Sequence, residues 1–200
     1  MKKLFRNAGF TMIELLIVIS ILGILAVAVL SAINPIEQIN RGRDTGSRSD
    51  AEQLLSAIDR YNAFQGYFPW QTGASDTTHL AYTWTSWDLA SSVADTNTTP
   101  CPVSEKLSTA TTGTCVGSGE LKITFFTRIF DTGYNHLFIY NKGGQGDSTY
   151  ICFAPKSNAF VTEAANRVLA GLPTDYPSTA VQAVANTTDC GASGNCVCLP

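Results

Sequence analysis

The sequence has little charge for its length. Only 14% of its 200 residues are Asp, Glu, Lys or Arg, against about 25% in an average soluble domain. Intrinsically disordered proteins and strongly basic nucleic-acid-binding proteins carry far more charge, so the composition argues against both classes. The formal net charge of −3 gives no overall attraction toward phosphate backbones, and we expect no nucleic-acid partner.

The sequence also lacks the short motifs of common enzyme chemistry. It contains no G-x-x-x-x-G-K loop for phosphate, no G-x-S-x-G turn for a nucleophilic serine and no H-E-x-x-H pair for zinc. The glycine-rich segment 143–147 is typical of a hairpin turn, because Asp131 and Asp147 do not have the spacing of a calcium loop. We therefore expect a protein that is not an enzyme and that needs no cofactor or metal ion.

Apolar sequence is abundant near the N-terminus. From Phe10 to Ile33 the clearly polar residues are Thr11, Glu14, Ser20 and Ser31. At about 1.5 Å per residue this run forms a helix of about 36 Å, and the hydrocarbon core of a bilayer is about 30 Å thick. The sequence therefore predicts a helix that spans a membrane.

The residues before this run are basic. The segment 1–9 contains Lys2, Lys3 and Arg6 and no acid, which is typical of a segment that stays in the cytoplasm. The rest of the chain is then expected on the outer side of the membrane. A cleavable secretory signal with its cleavage site at 26–28 is a competing hypothesis, but such signals have apolar stretches of only about 7–15 residues.

Glu14 is the residue that a plain membrane anchor does not explain. A carboxylate at the bilayer centre costs about 2.5–3.5 kcal/mol on insertion scales, so we expect it to have a partner. The segment Gly9-Phe10-Thr11-Met12-Ile13-Glu14, between a basic leader and an apolar helix, resembles the prepilin motif of type IV pilins and pseudopilins. Gly23 stands where these families commonly have a glycine. The likeness covers about the first 35 residues.

The resemblance implies a precursor that is processed and then polymerised. A prepilin peptidase would cut between Gly9 and Phe10 and methylate the new amine of Phe10. Loss of the leader leaves ten Lys and Arg against sixteen acids, a formal charge of −6 before the terminal amine is counted. When the helices of successive subunits stack, Glu14 of one would pair with the Phe10 amine of the next and set the register of assembly. The alternative is that Glu14 lies at the membrane surface and reaches water.

These features predict a structural subunit of a type IV pilus, a surface filament used in motility, adhesion or DNA uptake. The precursor is expected to cross the cytoplasmic membrane once, with its N-terminus in the cytoplasm. Its expected partners are copies of itself, other pilins, the prepilin peptidase, the inner-membrane assembly machinery and the membrane. A pseudopilin of a type II secretion system is the nearest alternative. A membrane-tethered binding domain that never polymerises is a further alternative, and it predicts an uncut leader.

The predicted fold is α+β, with a long N-terminal helix packed on a C-terminal head that contains an antiparallel β-meander. We divide the chain into a basic leader (1–9), a transmembrane and assembly helix (10–34), the amphipathic half of the same helix (35–64) and an extracytoplasmic head (65–200). Pro35, a candidate assembly residue together with Phe10, Glu14 and Gly23, predicts a kink or a local opening, because proline removes a backbone donor.

The amphipathic half is expected to continue as helix to about residue 64. An apolar stripe at helical spacing supports this prediction: Ala51, Leu54, Leu55, Ile58 and Tyr61. Segment 40–50 has no apolar residue, which is typical of a solvated stretch of helix or of a flexible joint, and we expect the solvated helix. Asp44 and Arg48 are expected to pair with each other along it. Gly66 and Pro69 predict its end.

Strand signals dominate the second half of the head. Alternating apolar residues and turn residues predict a meander with strands at 121–129, 137–140 and 150–154 and turns at 131–133 and 143–147. The 51–61 stripe is expected to cover its apolar face. Short helices are expected at 79–93 and at 158–170, the second ended by Gly171 and Pro173.

Six cysteines lie in the predicted head: Cys101, Cys115, Cys152, Cys190, Cys196 and Cys198. In an oxidising compartment they indicate disulfides, for which fifteen connectivities exist. A local Cys101–Cys115 bridge and a bridge from Cys152 to the 190–198 cluster are the pairings we expect. Zinc is the alternative, but the closest cysteines form a C-x-C pair and both histidines are far from it in the sequence.

Overall fold

The computed structural model describes residues 9–82, 101–109, 111–112, 115–129, 131, 134–169, 171–177 and 196–200. The chain divides into two units, Met1–Ile39 and Asn40–Pro200. The helices are α1 (Met12–Ala32), α2 (Pro35–Gln65), α3 (Val103–Leu107), α4 (Ile123–Ile129) and α5 (Asn158–Leu169). The strands are β1 (Thr111–Thr112), β2 (Cys115–Val116), β3 (Leu137–Asn141), β4 (Thr149–Phe153) and β5 (Val197–Leu199).

The apolar helix is interrupted at the step where the sequence predicts a kink or an opening. Ile33 ends α1 in an extended conformation, with φ −103° and ψ 128°. Asn34 then caps α2, because its Oδ1 accepts a hydrogen bond of 3.3 Å from the backbone N–H of Glu37. Pro35 occupies the first position of α2, where its missing N–H is not needed and its fixed φ suits a helix. The interruption therefore has a local cause in the Asn-Pro sequence.

Helix α2 buries one stripe along its head-proximal half. The buried residues of the stripe follow one another at spacings of three and four: Asp44, Ser47, Ala51, Leu54, Ile58 and Tyr61. The apolar part of the stripe belongs to the main core, as predicted. Segment 40–50 is part of the continuous helix α2, as predicted, but it is not solvated on all sides, because Asp44, Ser47 and Asp50 are buried. The polar residues continue the same helical face toward the N-terminus.

The sheet has the strand order β3-β4-β5, and both pairs of neighbours are antiparallel. Alternate side chains point to opposite faces of a strand, and both faces are buried here. One face joins the α2 stripe in the main core: Leu137, Ile139, Ile151, Phe153, Val197 and Leu199. The other face forms a second cluster: Phe138, Tyr140, Tyr150, Cys152 and Cys198. The predicted α+β layout, with an antiparallel sheet after a long N-terminal helical region, is confirmed.

The predicted strand at 121–129 is wrong. Residues Ile123–Ile129 form α4, and the third strand of the sheet is β5, near the C-terminus. Phe125, Phe126 and Ile129 are buried, a spacing of one and four that fits a helix. Ile123 is one of the apolar residues whose alternation with polar residues predicts the strand, and its side chain is half exposed. A short apolar run of this kind fits both periods, and tertiary packing selects the helix.

Other predicted elements of the head are present. The hairpin turn lies between β3 and β4, and Gly143 and Gly146 take positive φ values of 86° and 89° there. Helix α5 matches the helix predicted at 158–170, and Gly171 follows it with φ 85°. The helix predicted at 79–93 lies mostly outside the described residues. Within them, Tyr82 forms an antiparallel bridge with Asn141.

The loop after α2 is organised around Asp76. Its carboxylate accepts hydrogen bonds from the backbone N–H and the hydroxyl of Thr72, at 2.9 Å each, and from those of Thr78, at 2.9 and 2.8 Å. The His79 Nδ1 atom lies 2.7 Å from the same carboxylate. These hydrogen bonds, the Thr72 backbone N–H foremost, favour the ionised form and hold the pKa of Asp76 well below its usual range.

Asp76→Asn is expected to lower the melting temperature of the full-length protein in detergent at neutral pH. The folded pKa is depressed, so the carboxylate stabilises the fold above the unfolded pKa of about 3.9, and this stabilisation is lost as the pH falls through the folded pKa. The difference in melting temperature between wild type and variant should therefore narrow below about pH 4. A difference that is the same at neutral and acidic pH would contradict this assignment.

Candidate processing and assembly site

The start of α1 is a capping box built by Thr11 and Glu14. Thr11 is the N-cap residue, in an extended conformation with φ −82° and ψ 148°. Its hydroxyl oxygen accepts a hydrogen bond of 3.3 Å from the backbone N–H of Glu14. In return, Glu14 Oε2 accepts hydrogen bonds from the Thr11 backbone N–H at 2.9 Å and from the Thr11 hydroxyl at 2.7 Å. The two residues satisfy each other's polar groups at the helix start.

This capping box gives Glu14 a partner within its own chain, which the sequence analysis missed. The signal was available, because Thr-x-x-Glu before an apolar run is the sequence pattern of a capping box. A carboxylate in the first turn is also favoured by the positive end of the helix dipole. Thr11 supplies hydrogen bonds but no positive charge, so the charge of Glu14 is not neutralised by this contact.

Gly9 and Phe10 precede the helix. Both are exposed and lie outside regular secondary structure, and the Phe10 side chain is 84% exposed. The predicted cleavage point is therefore in an accessible segment next to the N-cap.

The surface of α1 is apolar on all sides. Its large apolar side chains are exposed, with values between 46% for Val18 and 86% for Met12. The hydroxyls of Ser20 and Ser31 donate to carbonyls of the preceding turn, at 2.8–2.9 Å, so neither brings an unsatisfied donor into an apolar environment. Segment Met12–Ser31 is long and apolar enough to cross a membrane.

Gly23 lies in the middle of α1. A β-carbon built at this position has no atom of the chain within 4 Å. The fold of the single chain therefore does not require a glycine here, and a larger side chain would alter only the outer surface of the helix.

Asp44 ties α2 to the rest of the head. It is fully buried, and its carboxylate accepts hydrogen bonds from the backbone N–H groups of Lys156 and Ser157 at 2.8–3.1 Å and from the Ser157 hydroxyl at 2.6 Å. The Asn135 side-chain amide donates a further bond of 3.0 Å. Helix α5 begins directly after these residues, so one carboxylate joins α2, α5 and the chain leading into β3.

The predicted pair between Asp44 and Arg48 is wrong. Arg48 instead pairs with Glu163 of α5 at 3.0 Å and lies over the ring of Phe160 at 5.7 Å from its centroid. Asp50, six residues after Asp44 on α2, is buried and accepts hydrogen bonds from Arg128 and from the Tyr134 hydroxyl. Both aspartates are buried and take partners from outside α2, and Asp50 also accepts a hydrogen bond of 3.5 Å from the Gln53 side chain of its own helix.

Four of the cysteines whose side chains the structure describes are disulfide-bonded. Cys152 of β4 is bonded to Cys198 of β5, its direct cross-strand neighbour, and the bond closes a chain separation of 46 residues. Cys101 and Cys196 are also disulfide-bonded. The Cys101–Cys115 pairing stays a prediction, because the side chain of Cys115 and the whole of Cys190 lie outside the described part of the chain. Among the described residues, no group of three or more His, Cys, Asp and Glu is placed to hold a metal ion.

Comparison with known families identifies the N-terminal segment. Residues 4–30 match the family model of the prokaryotic N-terminal methylation motif. No curated protein and no solved structure matches the chain. The chain therefore carries a type IV prepilin-like signal followed by an apolar helix, as the sequence predicts. The motif indicates a prepilin-like substrate of the pilin or pseudopilin kind; it implies processing by a prepilin peptidase, and together with the apolar helix it suggests a membrane-anchored precursor.

Proposed function

We propose that this chain is the precursor of a structural subunit of a type IV pilus. The observation that carries the proposal is the combination at its N-terminus: a methylation motif at 4–30, an exposed Gly9-Phe10 step, and a helix that is apolar on every side except for Glu14 in its first turn. The head then serves as the outer part of the filament, and the chain itself catalyses no reaction.

The exposed apolar surface of α1 must be covered both before and after assembly, and we expect a different apolar environment in each state. In the precursor, lipid covers its apolar side chains, and the length of the helix matches the hydrocarbon core of about 30 Å. In a filament, the helices of neighbouring subunits take the place of lipid. Because lipid is as apolar as leucine, packing and polar contacts between helices drive that exchange.

Glu14 provides the polar contact in this proposal. Hydrolysis between Gly9 and Phe10 leaves an ammonium group on Phe10, four positions before the carboxylate. Either charge alone is expensive in an apolar core, and a pair offsets much of the desolvation. The Phe10 amine of one subunit would replace or join Thr11 as the partner of Glu14 in its neighbour.

The orientation of the chain in the membrane is inferred from two features, the basic leader and a disulfide of the head. Lys2, Lys3 and Arg6 keep the leader in the cytoplasm, and the Cys152–Cys198 disulfide is expected in an oxidising compartment outside it. Both features support a head on the outer side of the membrane.

Mass spectrometry of the N-terminus, applied to membranes and to material sheared from the cell surface, tests the proposal. We expect the sheared material to contain filaments of a chain that starts at a methylated Phe10. Mature chain that stays in the membrane fraction would favour a secretion pseudopilin. Membrane-bound chain that still starts at Met1 would show a tether that does not polymerise, and would overturn the proposal.

Gly23→Leu tests the helix surface in a second way. We expect normal membrane insertion and leader cleavage, because the chain leaves open space at this position and leucine has a better helix propensity than glycine, by about 1 kcal/mol. The yield of sheared filaments should fall at least about fivefold, since a leucine here blocks close helix contact. Gly23→Ala should have a smaller effect, and a wild-type yield from Gly23→Leu would exclude Gly23 from the packed interface.

A further inference from the structure

The hydrogen-bond ladder of α1 begins at Thr11. The first carbonyl that it uses is that of Thr11, which accepts a bond of 3.3 Å from the Leu15 N–H. The Gly9 carbonyl lies two residues before this point. The Thr11–Glu14 capping box therefore separates the helix from the exposed segment that contains the bond to be cut.

We propose that Thr11 is a positioning residue for leader cleavage, acting through its N-cap hydrogen bonds. This inference rests on the proposed function, and it concerns processing rather than assembly. The capping box fixes the residue at which α1 starts. It therefore keeps the Gly9–Phe10 peptide in a non-helical form that a peptidase can bind.

The chemistry explains why the helix boundary matters. In hydrolysis, the oxygen of water bonds to the Gly9 carbonyl carbon, the bond from that carbon to the Phe10 nitrogen breaks, Gly9 keeps a carboxylate and Phe10 becomes an ammonium. If the helix extended upstream, the Gly9 carbonyl would accept a hydrogen bond from the Ile13 N–H. The peptidase would then have to unwind a turn before water could attack.

Loss of the cap favours that upstream extension. Without the Thr11 hydroxyl, the Glu14 N–H loses its acceptor at the edge of the membrane, where an unsatisfied donor is expensive. In a helix that starts one turn earlier, the Phe10 carbonyl accepts from this N–H and the unpaired first-turn donors lie closer to water. An N-cap residue changes the equilibrium between a helix that starts after Thr11 and one that starts a turn earlier by about fivefold. The rate of leader cleavage at low substrate concentration can therefore fall by no more than this factor.

The experiment measures cleavage of the full-length precursor in membranes by a prepilin peptidase. Thr11→Val keeps the branched shape but removes the hydroxyl, and Thr11→Ser keeps the hydroxyl but removes the methyl group. We expect Thr11→Val to raise KM by up to about fivefold with kcat unchanged, because fewer molecules are in the cleavable form. Thr11→Ser should be cleaved like wild type.

Amide hydrogen exchange on the same proteins in detergent provides an independent measurement. We expect the Ile13 N–H to become protected in Thr11→Val and to exchange freely in wild type and in Thr11→Ser. Wild-type cleavage of Thr11→Val, or slow cleavage of Thr11→Ser, would overturn the role of the cap and leave the proposed function standing. A wild-type precursor that is never cut would overturn the proposed function together with this inference.

Discussion

Glu14→Ala is expected to reduce the yield of sheared filaments at least tenfold while the precursor still inserts into the membrane. Removing a carboxylate from an apolar span lowers the cost of insertion, by up to about 2.5–3.5 kcal/mol. Removing one partner of a pair in an apolar core leaves the other charge unpaired, at about 3–5 kcal/mol. The substitution therefore favours membrane insertion and disfavours filament assembly. The amount of precursor in the membrane and the yield of sheared filaments measure the two effects separately.

Glu14→Gln is the matched variant for this experiment. Glutamine preserves the size of the side chain and the capping pattern with Thr11 but carries no charge. If the charge of Glu14 is needed for assembly, Glu14→Gln should lose filaments as Glu14→Ala does, although its leader is cut. Normal filament yield in both variants would refute the pairing of Glu14 with the Phe10 amine, and normal yield in Glu14→Gln alone would leave only a role in helix capping.

Asp44→Ala is expected to destabilise the head by about 4 kcal/mol, because each buried donor that loses its acceptor costs about 1–3 kcal/mol. The donors are the N–H groups of Lys156 and Ser157, the Ser157 hydroxyl and the Asn135 amide. At about 2–4 °C per kcal/mol for a chain of this size, the melting temperature should fall by about 8 °C or more.

Thermal unfolding of the full-length protein in detergent measures this effect, with the fluorescence of the buried Trp70 as one probe of the head. Glu52→Gln is the control, since Glu52 is an exposed acid on the same helix and its substitution should change stability by no more than about 0.5 kcal/mol. A change of less than about 1 kcal/mol in Asp44→Ala would show that water or other groups replace the carboxylate without loss.

The elements with a strong period or a clear stop signal could be predicted from the sequence. The apolar span, the interruption at Pro35 and the apolar stripe of α2 follow from composition, proline chemistry and helical spacing. The β3–β4 hairpin follows from two apolar runs on either side of a glycine-rich turn. Glu14 of the candidate site could also be predicted from the sequence, because it is the one acid in the apolar span.

The errors have physical causes. Asp44 and Asp50 are buried polar residues of α2, and a pattern of apolar residues alone cannot find carboxylates that accept hydrogen bonds from distant backbone and side-chain donors. Helix α4 was predicted as a strand because a seven-residue apolar segment fits both periods. Strand β5 has only three residues, too few to show a period. Its position in the sheet depends on pairing with β4, a strand that is far from it in the sequence.

The filament structure, determined by electron cryomicroscopy of sheared fibres, tests the pairing of Glu14 with the Phe10 amine. We expect the Phe10 nitrogen of one subunit to lie within about 4 Å of the Glu14 carboxylate of a neighbour, inside a core of α1 helices with no lipid between them. Fibres in which Glu14 contacts only its own Thr11, and in which the amine lies in water, would contradict it.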